Sequence, residues 1–356
     1  MNTIDTLRSN IQQPFACVPG TEPVDQPLPS PLSLRAFLPL PEYLADQIQQ
    51  QRQQVREVIQ NNDPRLLVIV GPCSLHHEQS AIEYGSRLAD LAVELQDRLL
   101  IVMRAYVEKP RTTIGWKGLM YDPALNGSDD MQAGLALSRS IMLDLVDLGL
   151  PLACELLQPM AASYFTDLLS WVAIGARTCE SQIHRELVSS LPMPAGFKNG
   201  TDGGLGIACD AISSATHPHR YFGMDMHGQP AVIKSPGNPD CHLVLRGGRN
   251  GPNHHVDNVA EARRQLLAAS IAPRLLVDCS HANSGKDFAR QPEVLEDVMR
   301  QRRAGNRDLF GLMLESHLNP GRQDLSAQLR YGVSITDGCL GWSDTQALLR
   351  RAADLS

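Results

Sequence analysis

LLVIVGPCS, residues 66–74, is a run of five apolar residues that stops abruptly at Gly-Pro-Cys-Ser. A short run rich in Leu, Val and Ile, closed by Gly and Pro, is how a strand buried on both faces reads. The texture recurs near LLIVMRA (99–105), LACELL (152–157), WVAIGA (171–176), AGFKNG (195–200), CHLVLRG (241–247), RLLVDCS (274–280) and FGLMLES (310–316). Between these runs lie segments with apolar residues at three- and four-residue spacing, among them EYGSRLADLAVELQ (83–96), SRSIMLDLVDLG (138–149), AASYFTDLLS (161–170) and DNVAEARRQLLAAS (257–270). Eight apolar runs alternating with amphipathic helices predict an α/β fold, a (β/α)8 closed barrel.

Two additions flank this pattern. The first ~35 residues are Pro-rich without sustained apolar periodicity and read as an extension outside the main core, and residues 42–60 read as a polar amphipathic helix. Together, residues 1–60 form an expected N-terminal extension, and 61–356 the barrel. Within the barrel, residues near 205–240 interrupt the rhythm with a turn signal at His227-Gly228 between two pairable runs, which predicts an inserted β-hairpin.

The formal net charge of −7 excludes a surface built to neutralise nucleic-acid phosphates. No stretch approaches the ~18 apolar residues of a membrane span, and the polar N-terminus lacks a signal-peptide pattern, so a cytoplasmic protein is expected. Eight scattered cysteines without a CxxC pair are expected to be reduced thiols.

In parallel barrels the chemistry sits where strands end, at the C-terminal face. Here the runs close on Cys73, Arg104, Glu155, Ala176-Arg177, Lys198, Arg246, Asp278-Cys279-Ser280-His281 and Glu315, with Asp337 a little further on. Each has a bland reading: a Cys after a strand is more often a small buried hydrophobe, and a single Arg more often a solvated charge. Jointly they sort into two groups facing one cleft. Cys73, His281, Glu315 and Asp337 could ligate a borderline divalent metal such as Mn²⁺, Fe²⁺, Co²⁺ or Zn²⁺. Arg104, Lys109, Arg177, Lys198 and Arg246 could hold phosphate and carboxylate.

The motifs GPCS (71–74), MRAYVEKPRTTIGWKGL (103–119), DPALNGS (122–128), GARTCESQIHRE (175–186), GFKNGTDG (196–203), LRGG (245–248), DCSHANSGK (278–286), LMLESHLNPG (312–321) and SITDGCLGW (334–342) carry a resemblance. From about residue 62 to 345 the chain resembles the type I 3-deoxy-D-arabino-heptulosonate 7-phosphate (DAHP) synthases, in the subgroup inhibited by aromatic amino acids. The resemblance implies that phosphoenolpyruvate and D-erythrose 4-phosphate condense in a TIM barrel, at the start of the shikimate pathway. It implies the same four metal ligands. It gives phosphoenolpyruvate to Arg104, Lys109, Arg177, Lys198 and Arg246, with the Ala176 backbone and Glu155 through water. Erythrose 4-phosphate would meet Lys109-Pro110, Arg111 and Thr112. Lys109, His281 and Cys73 are the implied catalytic residues, with Lys109 and His281 handling protons.

The N-terminal extension and the hairpin would form an inhibitor site and a subunit contact in a homodimer or homotetramer. Pro218-His219-Arg220 and Gly223 resemble tyrosine-sensitive isozymes, although Pro192 stands where many relatives carry Ser. KPRTT (109–113) sets the chain apart from the related 3-deoxy-octulosonate 8-phosphate synthases. A silent amino-acid sensor on the same barrel would first have lost these ligands and cations, and all are present.

Overall fold

Eight strands, one at each predicted run, close into a single parallel barrel in a computed structural model that describes residues 27–356. Round the barrel the strands are β1 (Leu66–Gly71), β2 (Leu99–Arg104), β3 (Leu152–Glu155), β4 (Trp171–Ile174), β5 (Ala195–Lys198), β8 (Cys241–Leu245), β9 (Leu275–Asp278) and β10 (Leu309–Glu315), with β10 pairing back onto β1. Strands β6 (Arg220–Met224) and β7 (Pro230–Lys234) form the expected antiparallel hairpin outside it, with His227-Gly228 in the turn.

Every residue of the eight barrel strands is buried, which is why their sequences run continuously apolar instead of alternating. Side-chain direction still alternates. Leu66, Val68 and Val70 of β1 join the outer cluster under the helices, whereas Leu67 and Ile69 join an inner cluster with Leu100, Val102, Trp171, Val244 and Met313. Trp171 fits that interior because β5 carries Gly196 beside it. A Cβ on Gly196 would lie 2.5 Å from the Trp171 ring and 2.7 Å from Val244.

Helix α1 (Pro31–Phe37) starts at a Ser30 N-cap and buries Leu34 completely in the outer cluster. The core therefore reaches into the stretch expected to lie outside it, while residues 1–26 fall outside the described region. Helix α2 (Glu42–Ile59) points Val55, Val58 and Ile59 into the inner cluster. Its polar residues fasten it to loops that precede strands. Gln51 donates to the Gly149 carbonyl at 3.0 Å, Arg52 to those of Leu169 and Thr166 at 2.9 and 2.6 Å, and Arg56 to Asp240 at 2.7 Å. The helix thus closes the end of the barrel opposite the chemistry.

The outer helices that matter below are α3 (Glu78–Leu95), α4 (Met131–Asp147), α6 (Gln182–Ser189), α7 (Gly206–Ala215), α8 (Val256–Ala268), α9 (Gln291–Arg303) and α10 (Trp342–Leu355). The expected helix over 161–170 shrinks to α5 (Ala162–Phe165) after a 3-10 turn at Pro159–Ala161. Arg52 takes the Thr166 and Leu169 carbonyls that a longer helix end would need to satisfy locally. Among the described residues no helix is long and apolar enough to cross a membrane.

Gly196→Ala is expected to lower the thermal unfolding midpoint, an overpacking cost of about 1–3 kcal/mol. Gly206→Ala, where an added Cβ meets nothing within 4 Å at the first residue of α7, should leave the midpoint unchanged or raise it. Equal midpoints for the two variants would contradict the tight interior.

Candidate active site

The inward parity that fills the barrel also aims the strand ends. Arg104, Glu155, Lys198, Asp278 and Glu315 are the last residues of β2, β3, β5, β9 and β10, and Arg246 follows β8 directly. Arg104, Glu155, Lys198, Arg246 and Glu315 line a cavity of about 340 Å³ at the barrel mouth, and Asp278 adjoins it through Lys198 and His281. Of the residues singled out in the sequence, Arg104, Lys109, Pro110, Arg111, Thr112, Glu155, Ala176, Arg177, Lys198, Arg246, His281, Glu315 and Asp337 all line it. Cys73 is not on the wall. It is fully buried beside it, reached through Lys109 and Asp337.

Cys73 Sγ, a Glu315 oxygen and an Asp337 oxygen lie within 4.8 Å of one another. The Lys109 ammonium reaches into the same group, 2.9 Å from Cys73 Sγ and 2.6 Å from Asp337 Oδ2. A cation therefore already sits against two of the expected ligands. Burial and then Glu315 push the Cys73 thiol up to about 12, against the opposing pull of Lys109. Burial would also raise the Asp337 carboxyl, but the Lys109 ammonium outweighs it and holds Asp337 well below the usual range.

His281 lines the same cavity but stands outside that close group. Its Nδ1 lies 2.9 Å from Asp278 Oδ2 and 2.7 Å from Ser280 Oγ, on a left-handed backbone with φ of 55°. Asp278 also faces the Lys198 ammonium at 3.2 Å and accepts from the Ser280 amide and hydroxyl. Burial works against the Asp278 carboxylate, yet His281 and Lys198 hold it far below the normal range. Asp278 closed a predicted strand without a role assigned to it; its inward parity was the available signal.

The anion-binding side is strongly cationic. Seven Lys and Arg side chains line the cavity against three carboxylates, Glu155, Glu315 and Asp337, a local excess opposite in sign to the whole chain's −7. Arg104 is buried, 3.1 Å from Glu315 and stacked over the Tyr106 ring at 3.9 Å. Arg177 donates to Thr112 Oγ1 at 2.8 Å and Arg111 to the Trp116 carbonyl at 2.7 Å. The Arg246 amide donates to Asn199 at 2.8 Å. Lys286, Thr201 and Tyr106 also line the wall; all three lie inside motifs quoted from the sequence, but none was assigned a role there.

Glu108, buried next to Lys109, was also passed over. It accepts from the Leu157 amide at 3.2 Å, the Gln158 amide and the Tyr121 hydroxyl, tying the Lys109 loop to the loop after β3. Burial raises it to about 7 against those hydrogen bonds.

A second, largely apolar cavity of about 600 Å³ lies between the hairpin, α6 and the segment after β3. Tyr221 and Ile233 of the hairpin line it together with Ile183, Leu187 and Pro192, and the Tyr221 hydroxyl donates to Ser190 at 2.9 Å. The Pro192 carbonyl accepts from Arg56 of α2.

A closed parallel barrel whose mouth gathers cations around a thiol and carboxylate group is an enzyme built for anionic substrates. The chain belongs to the DAHP synthetase I family, whose model matches residues 45–350. It is 49% identical over 329 residues to the Tyr-sensitive phospho-2-dehydro-3-deoxyheptonate aldolase of Escherichia coli, covering 92% of each chain. Identity to the Phe-sensitive enzyme of the same organism is 47%, over 91% of this chain and 93% of that one. The phospho-2-dehydro-3-deoxyheptonate aldolase structure from Francisella tularensis superposes with a TM-score of 0.91 at 40% identity, over 93% and 97% of the two chains.

The Cys73 thiol, lifted to about 12, keeps its proton at neutral pH, so a divalent cation bound through its sulfur must release that proton. Apparent Mn²⁺ affinity is therefore expected to rise between about pH 6.5 and 8.5, by about tenfold per unit for one displaced proton. A flat profile by titration calorimetry would remove Cys73 from the ligand set.

Proposed function

We propose that this mouth condenses phosphoenolpyruvate with D-erythrose 4-phosphate and water to give DAHP and inorganic phosphate, the first step of the shikimate pathway. The observation that carries the assignment to this cavity is the cation excess around the Cys73, Glu315 and Asp337 group. Two phosphates and a carboxylate bring roughly five negative charges, which planar guanidinium groups meet with paired hydrogen bonds.

Arg104, Lys109, Arg177, Lys198 and Arg246 hold phosphoenolpyruvate in this reading, with the Ala176 backbone and with Glu155 acting through water. Lys109-Pro110, Arg111 and Thr112 receive erythrose 4-phosphate. The Arg177 to Thr112 hydrogen bond supports the two subsites being neighbours. One divalent ion, Mn²⁺, Fe²⁺, Co²⁺ or Zn²⁺, would be held by Cys73, His281, Glu315 and Asp337. The donor set fits: a thiol and two carboxylates converge, a lysine cation rests among them, and Asp278 engages His281 Nδ1, which frees Nε2 for a ligand. Bound there, the ion would act as a Lewis acid toward the aldehyde oxygen.

The methylene carbon of phosphoenolpyruvate forms the new bond to the aldehyde carbon, and water adds to the carbon that bore the phosphoester. The hemiketal phosphate so formed expels inorganic phosphate and leaves the ketone. Lys109 carries a proton near the aldehyde end and delivers it to the new hydroxyl. His281, its Nδ1 fixed by Asp278, handles the second proton beside the metal.

The apolar cavity under the hairpin takes an aromatic amino acid as feedback inhibitor, and Pro218-His219-Arg220 with Gly223 favours tyrosine. Phe222 and Val232, cross-strand partners on the hairpin, are 81% and 78% exposed, which supports a subunit contact there in a homodimer or homotetramer. Seven free, buried cysteines among the described residues suit a reducing cytoplasm.

Arg104→Lys keeps the charge but loses the paired geometry, and kcat/KM should fall by about a hundredfold or more. Cys73→Ala should abolish metal-dependent turnover while circular dichroism remains unchanged. Erythrose 4-phosphate must turn over and arabinose 5-phosphate must not; the reverse would overturn the assignment. Inhibition by phenylalanine or tryptophan alone would overturn tyrosine.

A further inference from the structure

On the outer face of the barrel a second ligand group stands apart from the mouth. His254 and His255 end the loop after β8, and His255 is the N-cap residue of α8. Asp297 comes from the middle of α9. His254 Nδ1 lies 2.8 Å from Asp297 Oδ2 and His255 Nδ1 3.4 Å from the same oxygen, with the two imidazole rings 4.0 Å apart. One ligand atom from each of the three residues falls within 4.8 Å of the others.

A strut holding a loop to a helix would need only the His254 to Asp297 hydrogen bond. The approach of a second imidazole to the same carboxylate oxygen is not explained by that strut, and it is the arrangement of a three-donor cation site. We propose that His254, His255 and Asp297 form a second binding site for a divalent transition metal of the Zn²⁺ class, clamping α8 to α9.

Two imidazoles and one carboxylate are borderline donors, a set that catalytic-type zinc sites use with water in the remaining position and that Mg²⁺ or Ca²⁺ disfavour. Tetrahedral bonds of about 2.0 Å put ligand atoms about 3.3 Å apart, so the 2.8 and 3.4 Å separations from Asp297 Oδ2 need only small adjustments around an ion. His254 is buried, and its Nδ1 already points at Asp297 Oδ2. The His255 side chain is 57% exposed and gives the ion its way in. Arg300 pairs with the other oxygen, Asp297 Oδ1, at 3.1 Å from a side chain that is itself largely exposed. Gln301 donates to Oδ2 at 3.2 Å and to the His254 carbonyl at 2.7 Å, fixing both from behind.

The site also has a line to the mouth. The Asn253 carboxamide oxygen accepts from the Gly247 amide at 2.7 Å, and its nitrogen donates to Asn199 Oδ1, the oxygen that also holds the Arg246 amide. An ion on the neighbouring His254 would brace the loop that carries Arg246.

The test is equilibrium dialysis of the full chain, stripped with chelator, against Zn²⁺, using Cys73→Ala and the Cys73→Ala/His255→Ala double variant. Cys73→Ala should keep one bound equivalent, and adding His255→Ala should weaken it by about tenfold or more. Zn²⁺ should raise the thermal midpoint of Cys73→Ala and not of the double variant. His255→Ala alone, at a position outside the mouth, should retain turnover of phosphoenolpyruvate and erythrose 4-phosphate. Equal Zn²⁺ binding by Cys73→Ala and the double variant overturns the outer site. Two equivalents retained by Cys73→Ala would instead count against the ligand set of the mouth, so the two readings fail separately.

Discussion

The ion pair between Arg104 and Glu315 organises this barrel. Both side chains are almost fully buried, and they meet at 3.1 Å although their strands, β2 and β10, are not neighbours. β1 runs between them and ends in Gly71, which pairs in register with Glu315. Any Cβ there would lie 3.1 Å from the Arg104 backbone, and φ at Gly71 is +151°, a conformation L side chains rarely adopt. A glycine at the end of β1 is what lets two buried charges touch across a strand. Without the contact each would carry a desolvation cost of several kcal/mol with nothing opposite it.

A second relay repeats the logic on the other side of the mouth. Lys198 on β5 reaches Asp278 on β9 past the intervening β8, and Asp278 in turn holds His281. One relay thus ends on Glu315 and the other on His281. The residues proposed to balance anions are thus in direct contact with residues proposed to hold a cation, so the cavity's excess positive charge is held in place by ion pairs, the arrangement by which a site avoids reorganisation during reaction. Glu108 adds a brace from outside, since the amides it accepts at Leu157 and Gln158 adjoin the wall of the hairpin cavity.

Much of this could be read from residues alone, and the boundary between what could and could not is physical. Burial on both faces makes each barrel strand a continuous apolar run, so the eight runs lie within a few residues of the eight strands, and strand-end chemistry follows from barrel geometry. Contacts distant in sequence were not legible. Arg52 takes the Thr166 and Leu169 carbonyls just past the short helix after β3 from 114 and 117 residues away, and Leu34 enters the core from a stretch whose Pro content reads as an arm. His281 looks like one of four equal ligands in sequence; its left-handed backbone sets it back against Asp278, and no motif spacing carries that information. Nor does any spacing join His254 and His255 to Asp297, which lies on a different helix.

Lys109 gives the mouth its most consequential ambiguity. Its ammonium rests between Cys73 and Asp337, and although burial alone would strip its proton, the Asp337 and Glu315 carboxylates beside it oppose burial and favour the charged group. The atoms that hold this ammonium are the atoms that would hold a divalent ion, so Lys109 must withdraw before they can. In the proposed reaction, phosphoenolpyruvate and the aldose phosphate would bring the negative charge that could receive the ammonium in the otherwise cationic cavity. On that reading, loading the proposed cation site would displace one side chain, Lys109, which also lines the substrate cavity.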